Sequence, residues 1–409
     1  MKQTWRWFGP VDTVTLNHVK QAGATGVVTA LHHLNDGRAW PLDEVLKRKA
    51  VVEAAGLEWS VVESIIVHED IKTRTGRFRE LIDNYKASIR AVAKAGIRTV
   101  CYNFMAITDW TRTDLEYPMP HGGTALRFDV VEFCAYDVFL LKRPGAEADH
   151  PAERVERARV RLAQMGESDL ARLERNLIEW VPAREFVYDR QSLNHMLDIY
   201  RELSEDGFRS NLVAFLKEIV PVAEEHGVKL AIHPDDPPFP LFGLPRVVCN
   251  ADDFRHVLNA AKSPSNGVTL CTGSLGANPQ NDLVAMAKEF AADIHFAHLR
   301  NVTREGDGSF HEAEHLAGNT DMVRVTQALM EEERRRTAQG RSDHEIPMRP
   351  DHGHAIVDDI GKQVNPGYSC IGRLKGLAEL RGIMTTIDTL LPVTGANLVA
   401  GEVPVFCKS

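Results

Sequence analysis

No CxxC pair occurs in this chain, and its six cysteines, at 101, 134, 249, 271, 370 and 407, stand far apart. In 409 residues that spacing excludes a dense disulfide framework and reads as reduced thiols. Long lysine and arginine runs are missing as well. The single basic cluster, Arg334-Arg335-Arg336, follows Glu331-Glu332-Glu333. Opposite charges three or four apart are expected to form a solvated helix face. With 57 acidic against 48 basic residues, a net charge of −9 leaves no nucleic-acid footprint and no polybasic membrane patch. No apolar run approaches the roughly 20 residues needed to cross a bilayer. The opening MKQTWRWFGP lacks the apolar core of a signal peptide. Glycine-rich stretches, including Gly122-Gly123 and 353–367, match neither GxGxxG nor the P-loop pattern, so a nucleotide role has little support. The expectation is a soluble, cytoplasmic protein that touches neither nucleic acid nor membrane.

What is present is ample material for a core: 44% hydrophobic and 26% charged residues, the balance of a globular protein. Short β-rich runs alternate with helical stretches. Strands are expected at 4–8, 26–31, 58–63, 98–104, 229–233, 267–271, 294–299 and 345–349, several of them near-continuous apolar runs such as GVVTAL and KLAIH. Such runs suit parallel strands covered on both faces. Helices are expected at 42–55, 78–95, 211–226 (capped by Ser210 and kinked or divided at Pro221), 282–291, 322–333 and 370–390, with another opening at Asn250 or Ala251. Gly56, Gly96 and Gly227 are natural helix stops.

Eight strands each followed by a helix predict an α/β fold, a (β/α)8 TIM barrel. One interval is anomalous, since 131 residues separate the starts of the fourth and fifth strands. Its charged amphipathic stretches (151–165, 168–179 and 192–205) predict a long helical insertion after strand 4, over residues 105–207, acting as a lid or a subunit contact. The domain reading is one catalytic barrel over 1–395, this insertion within it, and a tail over 396–409.

Barrel enzymes place their chemistry at the C-terminal strand ends. The last four strands end at or beside His233, Cys271, His298 and Asp351, each a competent ligand for a divalent metal. Neighbouring strands lie about 4.8 Å apart, so four such ends can converge on one ion without a local motif. His295 rivals His298, but the two face opposite ways in a regular strand and only one can reach the site. Two imidazoles, a thiolate and a carboxylate suit Mn²⁺, Fe²⁺, Co²⁺ or Zn²⁺ better than Mg²⁺ or Ca²⁺.

WRWFGP, VVTALHHL, AIHPDDPP, LCTGSLG, HFAHLRN, MRPDHGH and PGYSCIGRLKGLAELRG, in that order, resemble the mannonate dehydratase family from Trp5 to about Leu391. The resemblance implies a metal-dependent barrel enzyme of hexuronate breakdown. It would convert D-mannonate to 2-dehydro-3-deoxy-D-gluconate and water with one Mn²⁺ or Fe²⁺ per chain. It also implies His233, Cys271, His298 and Asp351 as ligands, with His352 and Tyr368 as residues of the site. A homo-oligomer, dimer or dimer of dimers, is expected.

Dehydrating a sugar acid means removing the proton beside its carboxylate and expelling the neighbouring hydroxyl. A base and an acid are needed, each worth about 10²–10⁴-fold. His352 and Tyr368 are the candidates, with the order of their roles open. Arg300 and Arg349, beside ligand-bearing strand ends, are candidate clamps for the substrate carboxylate. His32 and His33 after strand two, and His121, are candidate contacts to sugar hydroxyls. Competing readings are a metal-dependent sugar isomerase or epimerase on the same barrel, which would lose no water, and a non-catalytic metal-binding barrel.

Overall fold

The computed structural model describes residues 1–108, 110–179 and 188–390. Eight parallel strands close into a barrel. They are β1 (Lys2–Arg6), β2 (Gly26–Thr29), β3 (Glu58–Glu63), β4 (Thr99–Tyr102), β5 (Lys229–Ile232), β6 (Asn266–Cys271), β7 (Ile294–His298) and β8 (Pro347–Arg349). Each pairs with its successor in sequence, and β8 returns to β1. The expected (β/α)8 barrel is the observed fold. Alternation along the strands divides the core in two. Trp5, Val27, Val62 and Leu230 join the main apolar cluster, whereas Val28, Val61, Cys101, Ala231 and Phe296 form a small separate one. Register aligns that second set, with Val28 opposite Val61 and Cys101 opposite Ala231. A period of two sends neighbouring residues to opposite faces, so both sets come from the same strands.

The helices at Leu42–Ala54, Phe78–Lys94 and Cys370–Leu390 match their expected spans closely. Gly56 and Gly96 follow the first two with φ of +73° and +83°, the left-handed turn that releases the chain toward the next strand. One helix differs. It runs Glu205–Glu225 and is capped by Ser204, whose hydroxyl accepts from the Gly207 N–H, so Ser210 lies inside it. Glu205 and Asp206 favour that earlier start, because acidic side chains complement the N-terminal end of the helix dipole. Pro221 sits within this element without dividing it.

The insertion after β4 carries the expected helices, at Ala152–Gln164, Glu167–Glu174 and Arg190–Arg201. It is not wholly helical. Asp114–Pro118 and Thr124–Phe128 are strands, and they pair with Asn301–Arg304 and Phe310–Ala313 from the loop after β7 in an antiparallel four-stranded sheet. These strands are short, and Thr124–Phe128 takes a partner nearly two hundred residues away, which no local pattern announces. The boundary at 395 and the tail over 396–409 lie outside the described residues. Among the described residues, no helix is long and apolar enough to cross a membrane.

Candidate active site

Register builds the floor of the site. Cys271 pairs with His298, and His298 with Arg349, so these three stand in one row across β6, β7 and β8. His233 follows the end of β5. One ligand atom each from His233, Cys271 and His298 lies within 4.8 Å of the other two. Asp351 completes the group, its Oδ2 3.8 Å from the Cys271 sulfur. Its φ of +64° is uncommon for a residue with a side chain, and Asp tolerates it better than most. Three donors converge on the Cys271 sulfur: the Ser274 hydroxyl at 3.1 Å, the Ser274 N–H at 3.5 Å and the Arg300 guanidinium at 4.0 Å. Cys101, near His298 and Glu63, differs. Burial pushes its thiol up, and Thr269 is its hydrogen-bond partner at 3.3 Å.

Hydrogen bonds fix which imidazole nitrogens are available. The His233 Nδ1 stands 2.7 Å from the Pro234 carbonyl, which can only accept, so Nδ1 carries the hydrogen and Nε2 the lone pair. The His298 Nε2 faces Glu63 Oε2 at 3.6 Å, beyond hydrogen-bond distance, and neither atom has a hydrogen-bond partner. A proton on that nitrogen leaves the Nδ1 lone pair facing His233 Nε2 at 3.0 Å. In that tautomer the two nitrogens set lone pairs against each other, with Arg349 Nη2 3.5 Å from His298 Nδ1, and a cation bound beside them would relieve the contact. Ligating histidines usually give their other N–H to a carbonyl or carboxylate, the arrangement that His233 shows and that Glu63, 3.6 Å away, offers to His298. The donor set therefore fits a divalent ion held by His233, Cys271, His298 and Asp351.

Two arginines bracket Asp351. Arg349 donates to both Asp351 and Glu63, the latter at 2.9 Å. Arg300 donates to Asp236 at 2.7 Å and Glu312 at 3.1 Å, and its Nε lies 3.3 Å from Asp351. Burial would raise the Glu63 and Asp351 carboxyls, but Arg349 leads a set of positive neighbours that holds both well below the ordinary value. Arg300 reaches its partners across Gly273, where a Cβ would come within 1.8 Å of its Nε. Both arginines line the pocket, and their terminal N–H groups are directed chiefly at protein carboxylates, while the Nε of Arg349 has no hydrogen-bond partner.

The rings of His352 and Tyr368 meet edge to face at 4.8 Å. Burial pushes the Tyr368 phenol up despite the Arg349 charge, so it stays protonated. Arg373, fully buried, donates to the carbonyls of Arg6, Tyr368 and Ser369 and pins the tyrosine backbone to the barrel rim.

His32 and His121 do not line this pocket. His32 packs on Phe8, itself a lining residue, at 5.6 Å, and His33 pairs with Glu44 at 3.5 Å. His121 is drawn into the accessory hairpin, its Nε2 3.0 Å from the Nδ1 of His354. His295 points away from His298 and is buried, and burial lowers its pKa to about 3. Burial likewise lowers His315 to about 4. Both lie below the unfolded value of about 6.5, so the unfolded chain binds more protons between these values. Stability is complete above about pH 6.5 and falls on acidification, by about 1.4 kcal/mol per pH unit for each histidine. Urea midpoints of the metal-free protein are expected to drop from pH 7 to pH 5, and a flat profile would contradict this assignment.

Sequence reasoning missed several lining residues: Arg6, Glu63, Glu69, Lys72, Asn103, Trp110, Tyr188 and Asp236. Arg6, Glu63 and Asn103 lie at or just past the ends of β1, β3 and β4, a position that strand ends alone could have flagged. Trp110 and Tyr188 come from the insertion, which thus borders the pocket. Lining cations (Arg6, Lys72, Arg300, Arg349) and anions (Glu63, Glu69, Asp236, Asp351) are four each. Adding a divalent cation would make this lining net positive, as an anionic substrate requires.

The D-mannonate dehydratase (UxuA) family matches residues 1–392. A mannonate dehydratase of Saccharophagus degradans is 54% identical over 391 residues, covering 95% of this chain and 98% of that one. Mannonate dehydratase 2 of Agrobacterium fabrum is also 54% identical, covering 96% and 98%. The crystal structure of mannonate dehydratase from Streptococcus suis serotype 2 superposes with a TM-score of 0.75 at 36% identity, covering 99% of both chains. A D-tagatose 3-epimerase-like protein, at 11% identity and a TM-score of 0.50, shares the fold alone. Sequence and architecture agree over the barrel and the insertion alike, and the chain belongs to the mannonate dehydratase family.

Proposed function

We propose that His233, Cys271, His298 and Asp351 hold one divalent ion, and that His352 and Tyr368 move the protons in the dehydration of D-mannonate to 2-dehydro-3-deoxy-D-gluconate. The observation that carries this reading is the pair of imidazole nitrogens 3.0 Å apart, with a thiol and a carboxylate beside them and two proton carriers on the same rim. The mixed nitrogen, sulfur and oxygen set suits Mn²⁺ or Fe²⁺. When bound, such an ion supplies Lewis acidity that lowers the cost of negative charge on substrate oxygens.

The protein's own groups divide the proton transfers. Tyr368, kept neutral by burial, is fitted to donate a proton to the departing hydroxyl. His352 is then the base for the proton beside the carboxylate. Arg300 and Arg349 hold Asp351 from two sides, and Glu63 orients the His298 ring. In this reading the arginines keep the metal carboxylate ionised and aimed, and substrate clamping is their lesser use. Trp110 and Tyr188 help to exclude water from the rim.

The test is to strip the protein of metal, add Mn²⁺ or Fe²⁺ anaerobically, and supply D-mannonate. A 2-keto-3-deoxy product formed only with metal is expected. An epimer or ketose formed without loss of water would overturn the reading.

A further inference from the structure

Glu312 lies outside the barrel, on the accessory strand Phe310–Ala313, yet it is buried and reaches the site. Its Oε1 stands 2.6 Å from His352 Nδ1, 3.1 Å from Arg300 Nη1 and 3.4 Å from Arg112 Nη2. Burial would raise this carboxyl, but His352, Arg300 and Arg112 hold it below the ordinary value. A carboxylate oxygen only accepts, so the short contact places the hydrogen on His352 Nδ1. Arg300 Nη1 also lies 2.8 Å from that nitrogen. It has Glu312 as its own acceptor and needs no lone pair from the ring, whereas an unprotonated Nδ1 would set two lone pairs against each other at 2.6 Å. The remaining nitrogen, Nε2, is on the side of Asp351 Oδ1, 3.8 Å away. Arg112, fully buried, ties the same carboxylate to Asp236 through a second contact at 2.9 Å.

We propose that Glu312 is a positioning residue, which holds the His352 ring in place and keeps it in the Nδ1–H form, so that Nε2 is the nitrogen that exchanges a proton with the substrate. The accessory sheet thereby completes the barrel site: the insertion supplies Arg112, the loop after β7 supplies Glu312, and the loop after β8 supplies His352. The inference rests on His352 as a proton carrier, and its test separates the two claims.

In metal-loaded E312Q, kcat is expected to fall on the order of 10²-fold or more, as when an orienting carboxylate beside a catalytic histidine is made neutral. KM is expected to stay within about threefold and metal content to be unchanged, because Glu312 acts through His352. In an H352N background the same substitution should change residual kcat less than about twofold. E312D, which keeps the charge, should recover part of the rate. Nitrogen NMR of histidine-labelled protein reports the tautomer directly: Nδ1–H in the native enzyme, shifting toward Nε2–H in E312Q. Wild-type kcat in E312Q, an equal loss in the H352N background, a loss confined to KM or traced to missing metal, or Nε2–H in the native enzyme would each overturn the proposal. Should H352N itself keep full turnover, the reading of His352 as a proton carrier falls and this inference with it.

Discussion

Cys271→Ala is expected to abolish metal retention, and activity with it. Two imidazoles and one carboxylate remain, but the row across β6 and β7 then has a hole where the sulfur stood beside His298. Loss of an outer partner of a metal ligand typically costs 10–100-fold in affinity, and loss of a ligand should exceed about 10²-fold. Metal content after gel filtration, and titration of the metal-free variant with Mn²⁺, measure this without reference to turnover. Stoichiometric metal in the variant would remove Cys271 from the ligand set. The converse effect belongs to the wild type. If Fe²⁺ is the ion in use, an oxidisable sulfur beside it should make activity decay in air and survive under nitrogen.

His352→Asn separates binding from chemistry. The asparagine keeps a polar group near Glu312 but cannot exchange a proton, so metal content should be unchanged and kcat should fall about 10²–10⁴-fold. The substitution leaves His233, Cys271, His298 and Asp351 untouched, so metal loss would show that His352 supports the ligand group itself. Full activity would take His352 out of the mechanism. Together the two variants give opposite signatures at neighbouring positions, one losing the ion and the other losing the rate.

The structure changes how the arginines are understood. Arg300, just past β7, and Arg349, on β8, looked suited to grip a sugar acid, yet Arg300 meets three carboxylates and Arg349 two. Each guanidinium carries a limited set of N–H groups, and those already directed at buried carboxylates are costly to withdraw. The positive lining is balanced residue for residue, so a bound cation would couple substrate attraction to metal loading.

Much of this protein was legible as text. The eight strands follow from short β-rich runs, several of them near-continuously apolar, and helix ends such as Gly56 and Gly96 from the left-handed turn that glycine permits. The helix start at Ser204 rather than Ser210 was misplaced because two serines compete within two turns and capping rules alone do not rank them. His32, read from its place after strand two, and His121, read from the insertion, show the limit of choosing site residues without their packing. The first packs on Phe8 and the second on His354, and neither preference is written in its local sequence.

The chain by itself determined the barrel and the rim at which ligand-type residues gather, because strand periodicity and position after a strand are local properties. Tertiary structure alone decided the state of those residues. Which nitrogen of His298 is free depends on Glu63, and which nitrogen of His352 carries hydrogen depends on Glu312. A hydrogen bond is specified by two groups at once, and here the second group arrives from another strand or from an accessory sheet whose pairing the local sequence does not encode.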